Sequence, residues 1–326
     1  MMATPLRIRT DEPSLRSPSR RHGGGESLFR RASTAAGVLL LLIMAAIAVF
    51  LVVEALPALR ANRGNFLTTL TWEPNGSQSF GIAALAFGTL VSALLALLLA
   101  MPVAIGVALF ISHYAPRRLA GVLGYVIDLL AAVPSVVYGL WGVVFLVPAV
   151  QGPFRFLNEH LGFIPLFGGD TVAGRSMLTA ALVLAVMILP IITAVSREVF
   201  LQVPRTHEEA ALALGATHWE TIRIAVLPFG RPGVISAAML GLGRAMGETI
   251  AVALIFPATF DISLRILTPQ GNSIAANIAN GFGEATPIGR GALIASGLVL
   301  FVITLLVNMG ARLIVARRRE YSGAAA

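Results

Sequence analysis

Six stretches of this chain are apolar over the roughly 20 residues that a helix needs to cross a bilayer. They run at about 35–56, 80–111, 122–150, 177–200, 234–256 and 291–315, and polar loops separate them. A soluble domain with one large core does not account for runs of this length. The chain is 56% hydrophobic and 12% charged, with a mean hydropathy of +0.83, whereas soluble domains carry about 25% charged residues. The pattern predicts an all-α polytopic membrane protein with six transmembrane helices. The first run is longer than the 7 to 15 residues typical of a signal peptide, and it reads as an uncleaved span. Met101, Pro102 and Gly106 are candidates to bend the second run, and the third contains Asp128 and the interruption Pro134-Ser135.

Charge placement orients the chain. The formal net charge of +8 would by itself suggest a nucleic-acid partner, but all 24 basic residues are arginines and they are unevenly distributed. With the amino terminus inside, seventeen lie in inner segments: seven in the first tail, Arg117 and Arg118, four from Arg197 to Arg231, and four from Arg312 onward. Six lie in outer loops, and Arg244 lies within a span. This positive-inside bias predicts that both termini are cytoplasmic, and it indicates membrane lipid and no nucleic acid. The chain has no cysteine, which excludes disulfides, thiolate zinc sites and thiol catalysis. It has no lysine, so it cannot form a Walker A phosphate loop. Any ATP hydrolysis belongs to another subunit. Neither His-Glu-x-x-His nor Gly-x-Ser-x-Gly occurs, which argues against an intramembrane enzyme.

Between the fourth and fifth spans lies a polar island, THEEAALALGATHWETIRIAVLP, residues 206–228. Thr206 followed by Glu209 reads as a capping box that starts a helix, and Thr217 with Glu220 repeats the signature. Gly215 suits the left-handed position that ends the first helix, and Pro228 is expected to limit the second. By itself this is an amphipathic loop on the cytoplasmic side. Within or near the spans lie four ionisable groups, Glu54, Asp128, Arg244 and Glu248. Glu54 reads as an interfacial carboxylate, and Asp128 as a group able to pair with a nearby arginine. Arg244 and Glu248 are spaced i, i+4, which on one helix puts them on one face. Gly243 and Gly247 would let a neighbouring helix approach closely. Two readings stand: a buried ion pair that fixes helix packing, or an anion site built on the planar guanidinium fork.

Glu209-Ala210-Ala211, Gly215 and Leu227-Pro228 resemble the EAA loop of ABC-importer permeases. Residues 128–142, DLLAAVPSVVYGLWG, together with Phe80-Gly81-Ile82, Gly88-Thr89-Leu90 and Arg244 to Val252, are similar to the phosphate-specific permease of C type, over roughly Trp72 to Arg319. The resemblance implies a type I ABC importer permease fold in the bacterial inner membrane that takes up inorganic phosphate. Composition gives a basic cytoplasmic tail at 1–31, rich in Arg, Ser, Pro and Gly and expected to be disordered, with a first helix and outer loop at 32–79, a permease core at 80–316, and a second cytoplasmic tail at 317–326 after it. The partners implied by the resemblance would be a homologous second permease in a heterodimer, an ATPase dimer carrying ATP-Mg, and an extracytoplasmic phosphate-binding protein. No cofactor or metal would sit in this chain. Arg244, Glu248 and Thr249 would line the substrate path. Glu208, Glu209, Ala210, Ala211, Gly215, Leu227 and Pro228 would couple to the ATPase. Permeases for sulfate, molybdate or phosphonate are the nearest alternatives, and a passive anion channel is a more distant one.

Overall fold

The computed structural model describes residues 24–323, with side chains from Leu28 to Leu313. The tail read at 1–31 therefore falls mostly outside the described residues, and α1 (Gly24–Ala61) begins within it. The chain divides into two units, 1–49 and 50–326. In the first unit the described residues are the start of α1, with Leu39, Leu40, Leu41 and Leu42 exposed, as lipid-facing side chains would be.

The second unit continues from Phe50. After α1 come a two-residue hairpin, β1 (Trp72–Glu73) and β2 (Ser79–Phe80), paired antiparallel with Trp72 opposite Phe80. Then follow α2 (Ala83–Leu109), α3 (Arg117–Ala131), α4 (Ser135–Trp141), α5 (Val147–Leu161) and α6 (Met177–Leu201). Next are α7 (Arg205–Ala213), α8 (His218–Thr221), α9 (Leu227–Met246), α10 (Ile250–Ile255), α11 (Ile274–Gly281) and α12 (Pro287–Gly323). Six helical stretches among the described residues are long and apolar enough to cross a membrane: Leu28–Ala61, Ala83–Tyr114, Ser135–Leu161, Met177–Leu201, His218–Met246 and Pro287–Leu313. The number of spans matches the sequence reading, but two of them are shifted. The third starts at Ser135, because Pro134 breaks the chain and leaves α3, with Asp128, as a separate helix. It also runs on to Leu161, into what reads as loop. The fifth starts at His218, so Pro228 does not limit the helix.

Three π-turns among the described residues each precede a proline. They cover Phe110–Tyr114, Gly142–Leu146 and Ile222–Val226, and a proline follows two residues after each, at Pro116, Pro148 and Pro228. A proline ring crowds the carbonyl four residues back and donates no hydrogen bond. The wider turn opens the helix where that clash would fall, and in the last two cases the helix continues.

The core is built on small residues. Ala93, Ala96, Ala100 and Ala104 form one buried face of α2 and lie in the same core as Leu184, Met187, Ile188 and Ile192 of α6. Spaced three or four apart, they let the two helices approach closely in a medium where apolar burial alone gives little drive. The segment between α10 and α12 is anchored to α2 by the next pair along. A Cβ on Gly88 would lie 1.9 Å from the Asn272 carbonyl oxygen, and Thr89 Oγ1 accepts from the Ile274 N–H at 3.0 Å. Gly88→Ala is thus expected to destabilise the fold by about 1–3 kcal/mol, as overpacking does. Thermal unfolding of the purified protein measures this, and a melting temperature equal to wild type would contradict the close approach.

Candidate functional site

Arg244 occupies the last turn of α9 and is half-buried. The helix stops two residues later. Gly247 is its C-cap, with its N–H turned back to the Gly243 carbonyl at 3.2 Å, as expected of a residue that costs about 1 kcal/mol inside a helix. Glu248 therefore lies on the break between α9 and α10, and the expected shared face with Arg244 does not form. Its carboxylate instead accepts from the Ala251 N–H at 3.2 Å and caps α10, where an acidic side chain suits the exposed amides. Glu248 is 8% exposed. Thr249 is half-buried on the same break, donating from Oγ1 to the Gly247 carbonyl at 3.3 Å.

Among the described residues the ion pairs within 4.0 Å are His113–Glu208 and Arg197–Glu198. Arg244 thus has no carboxylate at pairing distance, and the buried ion pair with Glu248 is not formed. Arg244 lines a recess of about 740 Å³ with Ser236, Met239, Gly243, Asn308 and Arg312. Gly243 is open on this side, with nothing within 4 Å of a built Cβ. The close helix contact expected at Gly243 and Gly247 occurs two residues earlier, on α9's inner face. There a Cβ on Gly241 would come within 2.8 Å of the Ile192 side chain.

The break is supported by the segment 128–142. A Cβ on Gly139 would lie 2.8 Å from the Cα of Ala251, and one on Gly142 would lie 3.1 Å from Ile255. Those two glycines let α4 and the π-turn after it lie directly against α10, the short helix that Glu248 caps. Tyr138 closes the kink from the other side, donating to the Leu130 carbonyl at 2.9 Å. An interrupted helix is tolerated at membrane depth where protein surrounds it or where it lines a polar cavity. Asp128 is exposed on α3 and Glu54 is exposed on α1, and neither has an ion-pair partner within 4.0 Å among the described residues. Among the described residues, therefore, the expected pairing of Asp128 with an arginine does not form.

The polar island folds as helix, glycine turn, helix. α7 begins at Arg205 behind Pro204, with no side-chain cap, so Thr206 lies inside the helix and does not cap it. The extended Pro204 (φ −62°, ψ 129°) already directs the chain into the helix one residue earlier. Gly215 adopts φ +85°, and Thr217 with Glu220 forms the reciprocal capping box. Ala210, Ala211, Leu214 and Pro228 line one groove of about 550 Å³ with Ile224 and Phe229. Glu208 and Glu209 line a second recess on the opposite side. Leu227 packs against the cluster of Phe200, Ile222 and Val226 beneath the island. Sequence reading missed His113, whose Nε2 lies 3.7 Å from Glu208 Oε1 and whose Nδ1 lies 2.7 Å from Ser112 Oγ. A histidine in a short turn between spans carries no local pattern that foretells this contact. Arg312 and Asn308 were missed too, since a basic residue at a span end reads first as an interfacial anchor. Among the described residues no group of three or more His, Cys, Asp and Glu side chains could hold a metal ion.

Residues 100–320 match the family described as the binding-protein-dependent transport system inner membrane component. The chain belongs to this family. Membership and the six spans make it the inner-membrane component of a bacterial transport system. The chain is 48% identical over 303 residues to the phosphate transport system permease protein PstC 2 of Mycobacterium tuberculosis, covering 91% of this chain and 93% of that one. It is 41% identical to the PstC permease protein of Xylella fastidiosa (93% and 94% covered) and 38% to that of Haemophilus influenzae (91% and 95%). Among solved structures it resembles a bacterial ABC transporter involved in the import of alginate, with TM-score 0.56 and 16% identity over 90% of this chain and 99% of that one. It also resembles the MetNI methionine ABC transporter, with TM-score 0.52 and 15% identity over 71% and 93%. At such identities the likeness concerns the fold, which is that of an ABC importer permease.

Proposed function

We propose that the chain is a permease subunit of an ATP-driven importer of inorganic phosphate, the activity named for its relatives. The observation that carries this reading is Arg244: a guanidinium with no carboxylate within 4.0 Å among the described residues, facing an open recess at the break of a membrane-crossing helix. A fixed positive charge at that depth lowers the barrier to an anion. Glu248 and Thr249 hold the break that positions it, and Glu248 keeps its carboxylate on α10 and away from the guanidinium. Both termini and α7 lie on the cytoplasmic side in this reading, in keeping with the arginine distribution. A separate ATPase dimer bound to ATP-Mg docks on the α7 island through Glu209, Ala210, Ala211 and Pro228. A homologous second permease completes the path, and an extracytoplasmic binding protein delivers phosphate. This chain supplies no hydrolytic site.

Uptake of labelled phosphate by the reconstituted complex, with sulfate and molybdate as competitors, tests the substrate. Unlabelled phosphate is expected to suppress uptake fully, while a tenfold excess of either competitor over saturating phosphate changes it by less than about twofold, a preference of about tenfold or more, ~1.4 kcal/mol. Efficient competition by sulfate would point to the broader oxyanion permease.

A further inference from the structure

We infer that Arg312 and Asn308 of α12 form a second anion station, on the α7 side of Arg244, which phosphate occupies on leaving Arg244. The inference rests on the reading of the chain as a phosphate permease. α9 carries the chain away from the α7 side. α10 and α11, with 6 and 8 residues, are far short of the roughly 20 needed to cross, so α12 brings the chain back. α12 (Pro287–Gly323) thus runs back toward the α7 side, with Arg312 nearer that side than Asn308, and Arg244 is near the far end of His218–Met246. The two arginines nevertheless line one recess. Asn308 stands one turn before Arg312, on the same face of α12, and Ser236 stands about two turns before Arg244 on α9. The recess thus has a guanidinium contributed by each helix, the uncharged hydrogen-bonding side chains of Ser236 and Asn308, apolar Ile191, Met239 and Leu240, and no carboxylate among its lining residues.

Hydrocarbon is a poor neighbour for such a wall, because a charge at the bilayer centre costs about 2.5–3.5 kcal/mol on insertion scales. Water or protein therefore covers it. A single strong cation would bind an anion well and release it slowly, whereas conduction requires sites from which the ion can leave. A second cation one step nearer the exit, with an amide able to donate to the same oxyanion, lets the ion pass from one guanidinium to the next. The shared ligand chemistry is a phosphate-type oxyanion, which a lipid headgroup could also supply.

Asn308→Asp is the decisive variant. It leaves Arg312 in place as a membrane anchor but sets a carboxylate one turn away, where it pairs with the guanidinium and repels the anion. Labelled phosphate uptake is measured with the whole complex in vesicles of purely zwitterionic lipid and in vesicles containing anionic lipid. The expected result in both is a fall of about tenfold in maximal uptake, ~1.4 kcal/mol, with membrane abundance, complex assembly and ATPase activity retained. Arg312→Gln is expected to do the same, and it decides the matter if the aspartate variant does not assemble. Wild-type uptake in either assembled variant would overturn the station, and loss confined to anionic vesicles would assign the recess to a lipid headgroup and also overturn it. If those variants are silent while Arg244→Gln is inactive, the permease reading stands and the station falls. If Arg244→Gln itself transports normally, the anion-path reading fails first.

Discussion

Arg244→Gln is expected to abolish phosphate uptake while the permease still reaches the membrane and assembles with its partners. Glutamine keeps hydrogen-bonding capacity and removes the charge. A unit charge acting on an anion about 4 Å away contributes ~4 kcal/mol at the effective dielectric typical of protein sites. Losing even two-thirds of that costs about a hundredfold in rate. Because Arg244 has no carboxylate at pairing distance among the described residues, its removal strands no buried counter-charge there, which is the usual route by which such a change unfolds a protein. Initial-rate uptake, normalised to membrane abundance, measures the effect. Normal rates would remove Arg244 from the path, and loss of assembly would make it a structural residue.

Gly215→Val is expected to separate ATP hydrolysis from transport. Gly215 holds φ +85° at the turn between α7 and α8. An L-residue in that region costs roughly 1–2 kcal/mol, and a β-branched side chain is a worse fit still. Nothing lies within 4 Å of a built Cβ, so the strain comes from the backbone and not from a clash. The turn sets how Ala210 and Ala211 face Pro228 across the groove. Reorienting it should lower ATP-driven uptake about tenfold, ~1.4 kcal/mol, while ATPase activity in the assembled complex persists. Gly215→Ala should be milder, because alanine lacks the second branch. Full coupling in the valine variant would take the turn out of the coupling mechanism.

What the sequence reveals of this protein follows from which forces act locally. The count of spans is legible because apolar length is a property of each run alone. The Thr217 cap and the Gly215 turn are legible for the same reason: each depends on a few adjacent residues, and both appear at the expected positions. The Thr206 box failed because Pro204 starts the helix sooner. Pro228 misleads because the π-turn before it absorbs the clash, and no pattern in residues 222–226 announces that extra width. The same holds for the helical continuation through Pro148 to Leu161. The i, i+4 geometry of Arg244 and Glu248 assumes an unbroken helix. Gly247 carried the contrary signal, and the deciding contacts, Gly139 of α4 and Gly142 of the π-turn after it against α10, come from more than a hundred residues away. The recess shared with α12 likewise joins residues that no local window contains.

Accumulation of labelled phosphate in proteoliposomes, with and without Mg-ATP, tests the importer reading most directly. The complete complex, with this chain, its second permease, the ATPase subunits and the binding protein, should concentrate phosphate only when Mg-ATP is supplied on the α7 side. Vesicles holding this chain without the ATPase should show none. Phosphate equilibrating through this chain without ATP would contradict an importer and make it a passive anion channel.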